Sequence, residues 1–143
     1  MDIRRLTPDY AVSPQISPED LPALRAAGFA TVICNRPDAE NPPELAATEM
    51  ARAAQAAGLA FHDLPLTHQT MTPENVAAQA RLIDEAAGPV LAYCASGTRS
   101  SVIWSLGQAG RMATDDILRA TAQAGYDLSQ MRQTLEELAR DRG

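Results

Sequence analysis

Apolar positions along this chain come in short blocks, and the polar punctuation between them decides what each block becomes. Ile3 to Leu6 and Tyr10 to Val12 are split by Thr7-Pro8-Asp9, which predicts a small hairpin or edge piece. Ser17-Pro18-Glu19-Asp20 supplies a cap residue, a proline for the first helical position and acids for the first turn. A helix follows, with Leu21 and Leu24 on one face and Gly28 as its stop. Phe29 to Cys34 is short, rich in β-branched residues and bounded by turn residues, so it predicts a buried strand. A polar loop over 35–43 leads to a helix from about Glu44 to Ala57, ended by Gly58. Leu59 to Leu64 predicts the next strand, and Pro65 to Met71 a loop. Thr72-Pro73 repeats the cap-then-proline signature, after which Val76, Ala80, Ile83 and Ala87 recur at helical spacing up to Gly88. Val90 to Tyr93 is the last strand. The remainder predicts helices over about 100–108, 114–124 and 127–140, the last carrying a stripe of Leu128, Met131, Leu135 and Leu138.

Strands alternating with helices three times predict an α/β fold: a small, mainly parallel sheet flanked by helices, with a helical C-terminal part, in one domain over 1–143. Ligands of such sheets bind beyond the carboxyl ends of the strands. The loops at that edge begin at Asn35, Pro65 and Cys94, so the 35–43 and 65–72 loops are expected beside the cysteine.

Composition narrows the function without naming it. The chain has 143 residues, 45% of them hydrophobic and 21% charged, which suits a soluble domain with a real core. The net charge of −6 argues against nucleic acid or an anionic membrane as the main partner. No apolar run approaches the roughly 18–20 residues of a membrane span, and the charged start reads as no signal peptide. A cytoplasmic setting, which keeps thiols reduced, is the expectation. Two cysteines with no metal-ligand spacing and two histidines give no metal site and no disulfide scaffold. Nothing calls for an organic cofactor.

The chemistry concentrates in Tyr93-Cys94-Ala95-Ser96-Gly97-Thr98-Arg99-Ser100. A cysteine at a strand end, a loop of backbone N–H groups and a helix N-terminus make an anion site with a nucleophile at its base. An adjacent arginine and helix N-terminus are the surroundings that convert a thiol to a thiolate. Amides of Ala95, Ser96, Gly97 and Thr98 are expected to bind the charge, Gly97 permitting the backbone angles of such a nest. Arg99 offers a planar fork for an oxyanion, and Ser96, Thr98, Ser100 or Ser101 a hydroxyl for the sulfur. The bland alternative is a buried strand-end cysteine beside a surface arginine.

These residues give the chain a resemblance. It resembles the β-lactamase hydrolase-like protein, phosphatase-like domain family, whose members are also described as sulfur transferases. The matching segments are Tyr10-Ala11-Val12-Ser13-Pro14-Gln15-Ile16, Gly28-Phe29, Asn35-Arg36-Pro37-Asp38, Leu64-Pro65, Tyr93 to Ser100, and Ala124-Gly125-Tyr126-Asp127-Leu128. The resemblance implies the fold of dual-specificity protein phosphatases. Three departures from phosphatases proper follow. Their signature holds one residue more between cysteine and arginine than the four found here. They usually carry histidine where this chain has Tyr93. Their acid loop corresponds by position to Leu66-Thr67-His68-Gln69-Thr70, which has no carboxylate.

His68 is the nearest general acid on that loop, against a plain reading as a solvated histidine. Asp63 is a weaker alternative within its strand. Cys34, at the end of the strand that the resemblance sets beside Val90 to Tyr93, is a possible resolving thiol or a structural cysteine. Arg36 and Asp38 either bind substrate or brace their loop. Trp104 reads as core. A loop with four intervening residues is what rhodanese-type sulfurtransferases use. The leading reading is therefore a sulfurtransferase with a persulfide on Cys94, serving a small-molecule thiol or sulfur anion. A cysteine-dependent phosphatase acting on a phosphate anion, and a non-catalytic anion-binding or redox-sensing module, are the alternatives.

Overall fold

The computed structural model describes residues 1–142. Five short strands form one sheet: β1 (Arg4–Thr7), β2 (Tyr10–Ser13), β3 (Thr31–Cys34), β4 (Ala60–Asp63) and β5 (Val90–Tyr93), in the order β1-β2-β5-β3-β4. Only β1 is antiparallel to its neighbour; β2, β5, β3 and β4 run parallel. The first two apolar blocks do form a hairpin, but β2 is not an edge piece. It lies inside the sheet and pairs with β5 from Tyr10↔Val90 to Ser13↔Tyr93. The exposed edge is β4, where Ala60, His62 and Asp63 are open.

Side-chain alternation splits the core into two layers. Val12, Ile33, Val90 and Ala92 pack on one face against α3 (Pro73–Glu85), α4 (Thr98–Gln108), α5 (Thr114–Gln123) and α6 (Arg132–Arg142). Ala11, Val32, Leu91 and Tyr93 pack on the other against α1 (Leu21–Ala26) and α2 (Ala47–Ala57). Trp104 is core as expected, stacked on Tyr10 with ring centroids 5.9 Å apart.

Helix starts differ from the sequence pattern where side chains compete for the backbone. Thr72 caps α3 as read, accepting from Asn75 N at 3.2 Å, a contact worth about 1 kcal/mol. The 44–57 helix begins only at Ala47, whose N–H is taken by Asp38 Oδ1 at 2.8 Å. Asp127 Oδ1 accepts from Ser129 N at 3.0 Å, so the last helix starts at Arg132 after a 3₁₀ turn over Ser129–Met131. α4 starts two residues earlier than the pattern suggested, at Thr98, which puts Arg99 in its first turn. Among the described residues no helix is long and apolar enough to cross a membrane.

Candidate functional site

β5 delivers Cys94 to the carboxyl edge of the sheet, and α4 leaves it again four residues later. Between them the chain reverses through Gly97, whose φ of +94° is the left-handed region that favours glycine. That turn aims the Gly97 N–H at Cys94 Sγ, 3.1 Å away. Cys94 is fully buried, whereas Ala95 and Ser96 are exposed. Ser96 Oγ accepts from Thr98 N at 3.3 Å and donates to Thr98 Oγ1 at 3.0 Å, bracing the turn.

A buried polar network supports the loop from beneath. Tyr10 OH donates to Ser100 O at 2.8 Å, and Ser100 Oγ donates to Asn35 Oδ1 at 2.8 Å. Asn35 Nδ2 donates to Gln79 Oε1 and Leu64 O, both at 3.0 Å. Asn35 N also takes Tyr93 O at 2.8 Å, and Leu66 N takes Asn35 O at 2.9 Å. One asparagine thus ties the end of β5, the 65–71 loop and α4 into a single unit. Ser100 is corrected by this: its hydroxyl is wholly buried and spent on Asn35, so it does not face an anion.

Arg99 reaches across the loop to Glu40. Nη1 donates to Glu40 Oε2 at 2.8 Å and to Leu66 O at 2.9 Å, while Nη2 donates to Oε1 at 2.7 Å. The fork is therefore filled by a carboxylate from the 35–43 loop and a carbonyl from the 65–71 loop. Both loops stand beside the cysteine, as the strand order predicts. The Arg99 guanidinium, with Arg36 assisting, holds the Glu40 carboxyl below its ordinary range. Arg36 is also corrected: it is no free substrate ligand. Its Nε and Nη2 clamp Glu40, and Nη1 donates to Gln15 Oε1 at 3.3 Å. Asp38 braces its loop, by capping Ala47.

His68 is exposed and makes no side-chain hydrogen bond among the described residues, two positions beyond the Leu66 carbonyl that Arg99 holds. Asp63 is on the exposed edge strand. Burial, then the nearby Asp38, raises its carboxyl above the ordinary value. Cys34 is in register with Tyr93 and shares its core layer, its Sγ donating to Arg36 O at 3.3 Å. Burial pushes its thiol up to about 11. The strands are neighbours, but Cys34 faces Arg36 and Tyr93 while Cys94 faces Gly97. Mild peroxide is accordingly expected to form no Cys34–Cys94 disulfide in the folded protein, checked by non-reducing peptide mapping. The raised value also carries a stability sign. The neutral thiol's contribution is complete below the ordinary thiol pKa near 9 and is lost as pH rises through about 11. Cys34→Ala flattens that alkaline decline in a urea titration series.

Three residues at the site carry no signal in local spacing, although Gln15 and Tyr126 lie in segments that carry the family resemblance. Glu40 is one. Gln15 is another, its N–H donating to Ala95 O at 3.3 Å. Tyr126 is the third: its OH donates to Ser96 O at 2.8 Å, and its ring lies under the Arg4 guanidinium, 5.2 Å from the centroid. Their partners are between 30 and 80 positions away in most cases, beyond any local pattern. Among the described residues no group of three or more His, Cys, Asp or Glu is placed to hold a metal.

Residues 2–111 match the model of the β-lactamase hydrolase-like protein, phosphatase-like domain. The chain belongs to that family. A β-lactamase hydrolase-like protein of Agrobacterium fabrum is 37% identical over 119 residues, covering 82% of this chain and 28% of the relative. The chain thus spans less than a third of that curated relative. A solved structure of a phosphatase candidate from Neisseria meningitidis superposes with a TM-score of 0.84 at 34% identity, covering 96% of this chain and 99% of the other. A second phosphatase candidate, from Shewanella putrefaciens, gives 0.76 at 20% identity over 99% and 93%, which shows the shared fold. The family resemblance and the phosphatase-like fold expected from the sequence both hold.

Proposed function

We propose that this domain is a cysteine-dependent group-transfer enzyme and that the group Cys94 carries is sulfane sulfur. The observation that supports it is the state of Arg99. Its fork is already filled by Glu40 and Leu66 O, and one backbone N–H, that of Gly97, donates to Cys94 Sγ among the described contacts. This is a charge-compensated cradle, short by one loop residue of a phosphatase's. It suits a single sulfur better than a dianionic phosphoryl group.

Proton supply points the same way. Hydrolysis of a phosphoester needs a proton for the leaving oxygen. The 65–71 loop has no carboxylic acid, its one candidate acid, His68, is exposed and hydrogen-bonded to nothing among the described residues, and Glu40, held ionised by Arg99, is a poor proton donor. Sulfur transfer releases a thiolate, which leaves without one. The Cys94 thiolate attacks the outer sulfur of a donor persulfide, R–S–SH. The Cys94–S bond forms as the donor S–S bond breaks, leaving Cys94–S–SH and R–S⁻. An acceptor thiolate then attacks the outer sulfur and returns Cys94 as the thiolate.

The second reading is a phosphatase-like hydrolase working through a cysteinyl-phosphate. The phosphatase-like description of the matching family model and the phosphatase candidates among the solved relatives favour it, and none of those descriptions names sulfur. Intact-mass spectrometry separates the two. After glutathione persulfide, a gain of one sulfur on the Cys94 peptide, removed by excess thiol, is the expected result. An aryl phosphate that leaves a phosphoryl group on Cys94, with steady hydrolysis and no sulfur adduct, would overturn sulfur transfer in favour of the hydrolase.

A further inference from the structure

A carboxylate seated on the arginine of an anion loop occupies the edge that a substrate oxyanion would use. Glu40 does this with both oxygens, at 2.7 and 2.8 Å from Arg99. Nor is it carried on a free surface side chain. Arg36 Nη2 donates to the Glu40 carbonyl at 3.0 Å and Arg36 Nε to its carboxylate at 3.4 Å. Arg36 Nη1 and Asn41 Nδ2 both donate to Gln15 Oε1 at 3.3 Å, and Gln15 N donates to Ala95 O in the Cys94 loop, also at 3.3 Å. The turn bearing Glu40 is thereby fastened to the loop it serves.

We propose that Glu40 is a specificity-determining residue: it fills the Arg99 fork and so excludes dianionic oxyanions from the Cys94 loop. A phosphate or sulfate dianion must displace two charge-assisted hydrogen bonds, or settle beside a negative carboxylate. Either route costs binding, and repulsion of the wrong ligand is an ordinary source of specificity. A group borne on a thiol needs no arginine fork and meets no such barrier. The inference rests on Cys94 being the reacting group, as proposed above.

The test is equilibrium binding of inorganic phosphate to the whole chain by isothermal titration calorimetry at neutral pH, for the parent, Glu40→Gln and Glu40→Ala. The Glu40 side chain is 36% exposed and glutamine keeps an oxygen for Arg99, so Glu40→Gln is expected to melt close to the parent, while thermal melting of Glu40→Ala reports the loss of that partner. Removing the charge should tighten phosphate roughly tenfold, the size of a partly screened ion pair. In the persulfide assay, phosphate should inhibit Glu40→Gln at about tenfold lower concentration than the parent by the same reasoning. Phosphate affinity that is unchanged, weaker or undetectable in both variants overturns the proposal, since Glu40 then positions Arg99 and does not compete for it. The Cys94 adduct experiment reads the underlying reaction separately, because phosphate titration needs no turnover.

Discussion

If the group carried is sulfur, as proposed, Cys94→Ser is expected to fold like the parent and to lose sulfur transfer by roughly a thousandfold or more, the scale seen when a nucleophile is removed from a catalytic unit. The reason is chemical, not architectural. A serine hydroxyl is a weak nucleophile without a base beside it, and among the described residues the hydrogen bond to Cys94 Sγ comes from a backbone N–H, not from a histidine or a carboxylate. The exchange of sulfur for oxygen leaves the loop's hydrogen bonding intact, because the Gly97 N–H that donates to Sγ at 3.1 Å has an oxygen to meet instead. The stability change should stay within about 1 kcal/mol, the net worth of one such bond. Single-turnover kinetics with glutathione persulfide, paired with thermal melting, check both halves. Residual transfer above about a tenth of the parent rate would mean that the sulfur is carried elsewhere.

Gly97→Ala is the second large effect, and here the cause is steric. At φ +94° an alanine carries backbone strain on the order of 1–3 kcal/mol. Its Cβ would also overlap the Tyr126 hydroxyl oxygen and lie 2.9 Å from Tyr126 Cζ. Tyr126 must then move, breaking its bond to Ser96 O at a further cost of about 1 kcal/mol. The melting temperature should fall on the order of 10 °C. Displacing the turn also moves the Gly97 N–H from Cys94 Sγ, and misplacement of that size costs about a hundredfold in rate. Adding Tyr126→Leu to Gly97→Ala removes the overlap but not the backbone strain, so it should recover part of the stability and little of the activity. An alanine variant that melts and turns over like the parent would falsify this account of the loop.

Much of the fold was legible because it depends on short-range rules. Thr72 caps its helix through a residue three positions on, and the apolar block Val90 to Tyr93 makes a wholly buried strand. The misreadings came where a side chain outbid the local pattern, as Asp38 did at Ala47 and Asp127 at Ser129. The hairpin strand β2 has two partners, β1 and β5, and an apolar block that short does not state how many it will have. Its pairing with β5, 80 residues on, is a property of the assembled sheet.

The same division runs through the site. The sequence alone determined that Cys94 follows a strand, that Gly97 turns the chain, and that a helix begins close behind Arg99; the structure starts that helix at Thr98 and so takes Arg99 into its first turn. Those facts rest on neighbours within a few positions, where spacing is geometry. Only the tertiary structure decided what Arg99 holds. Glu40 is 59 positions away, and its approach depends on strand order, on Asn35 gathering two loops, and on Arg36 bending its own turn back. Charge pairing across a fold leaves no periodicity to read. It decided that the arginine of this loop is held by Glu40 and Leu66 O, which is why the cysteine could be found from sequence while the partners of its arginine could not.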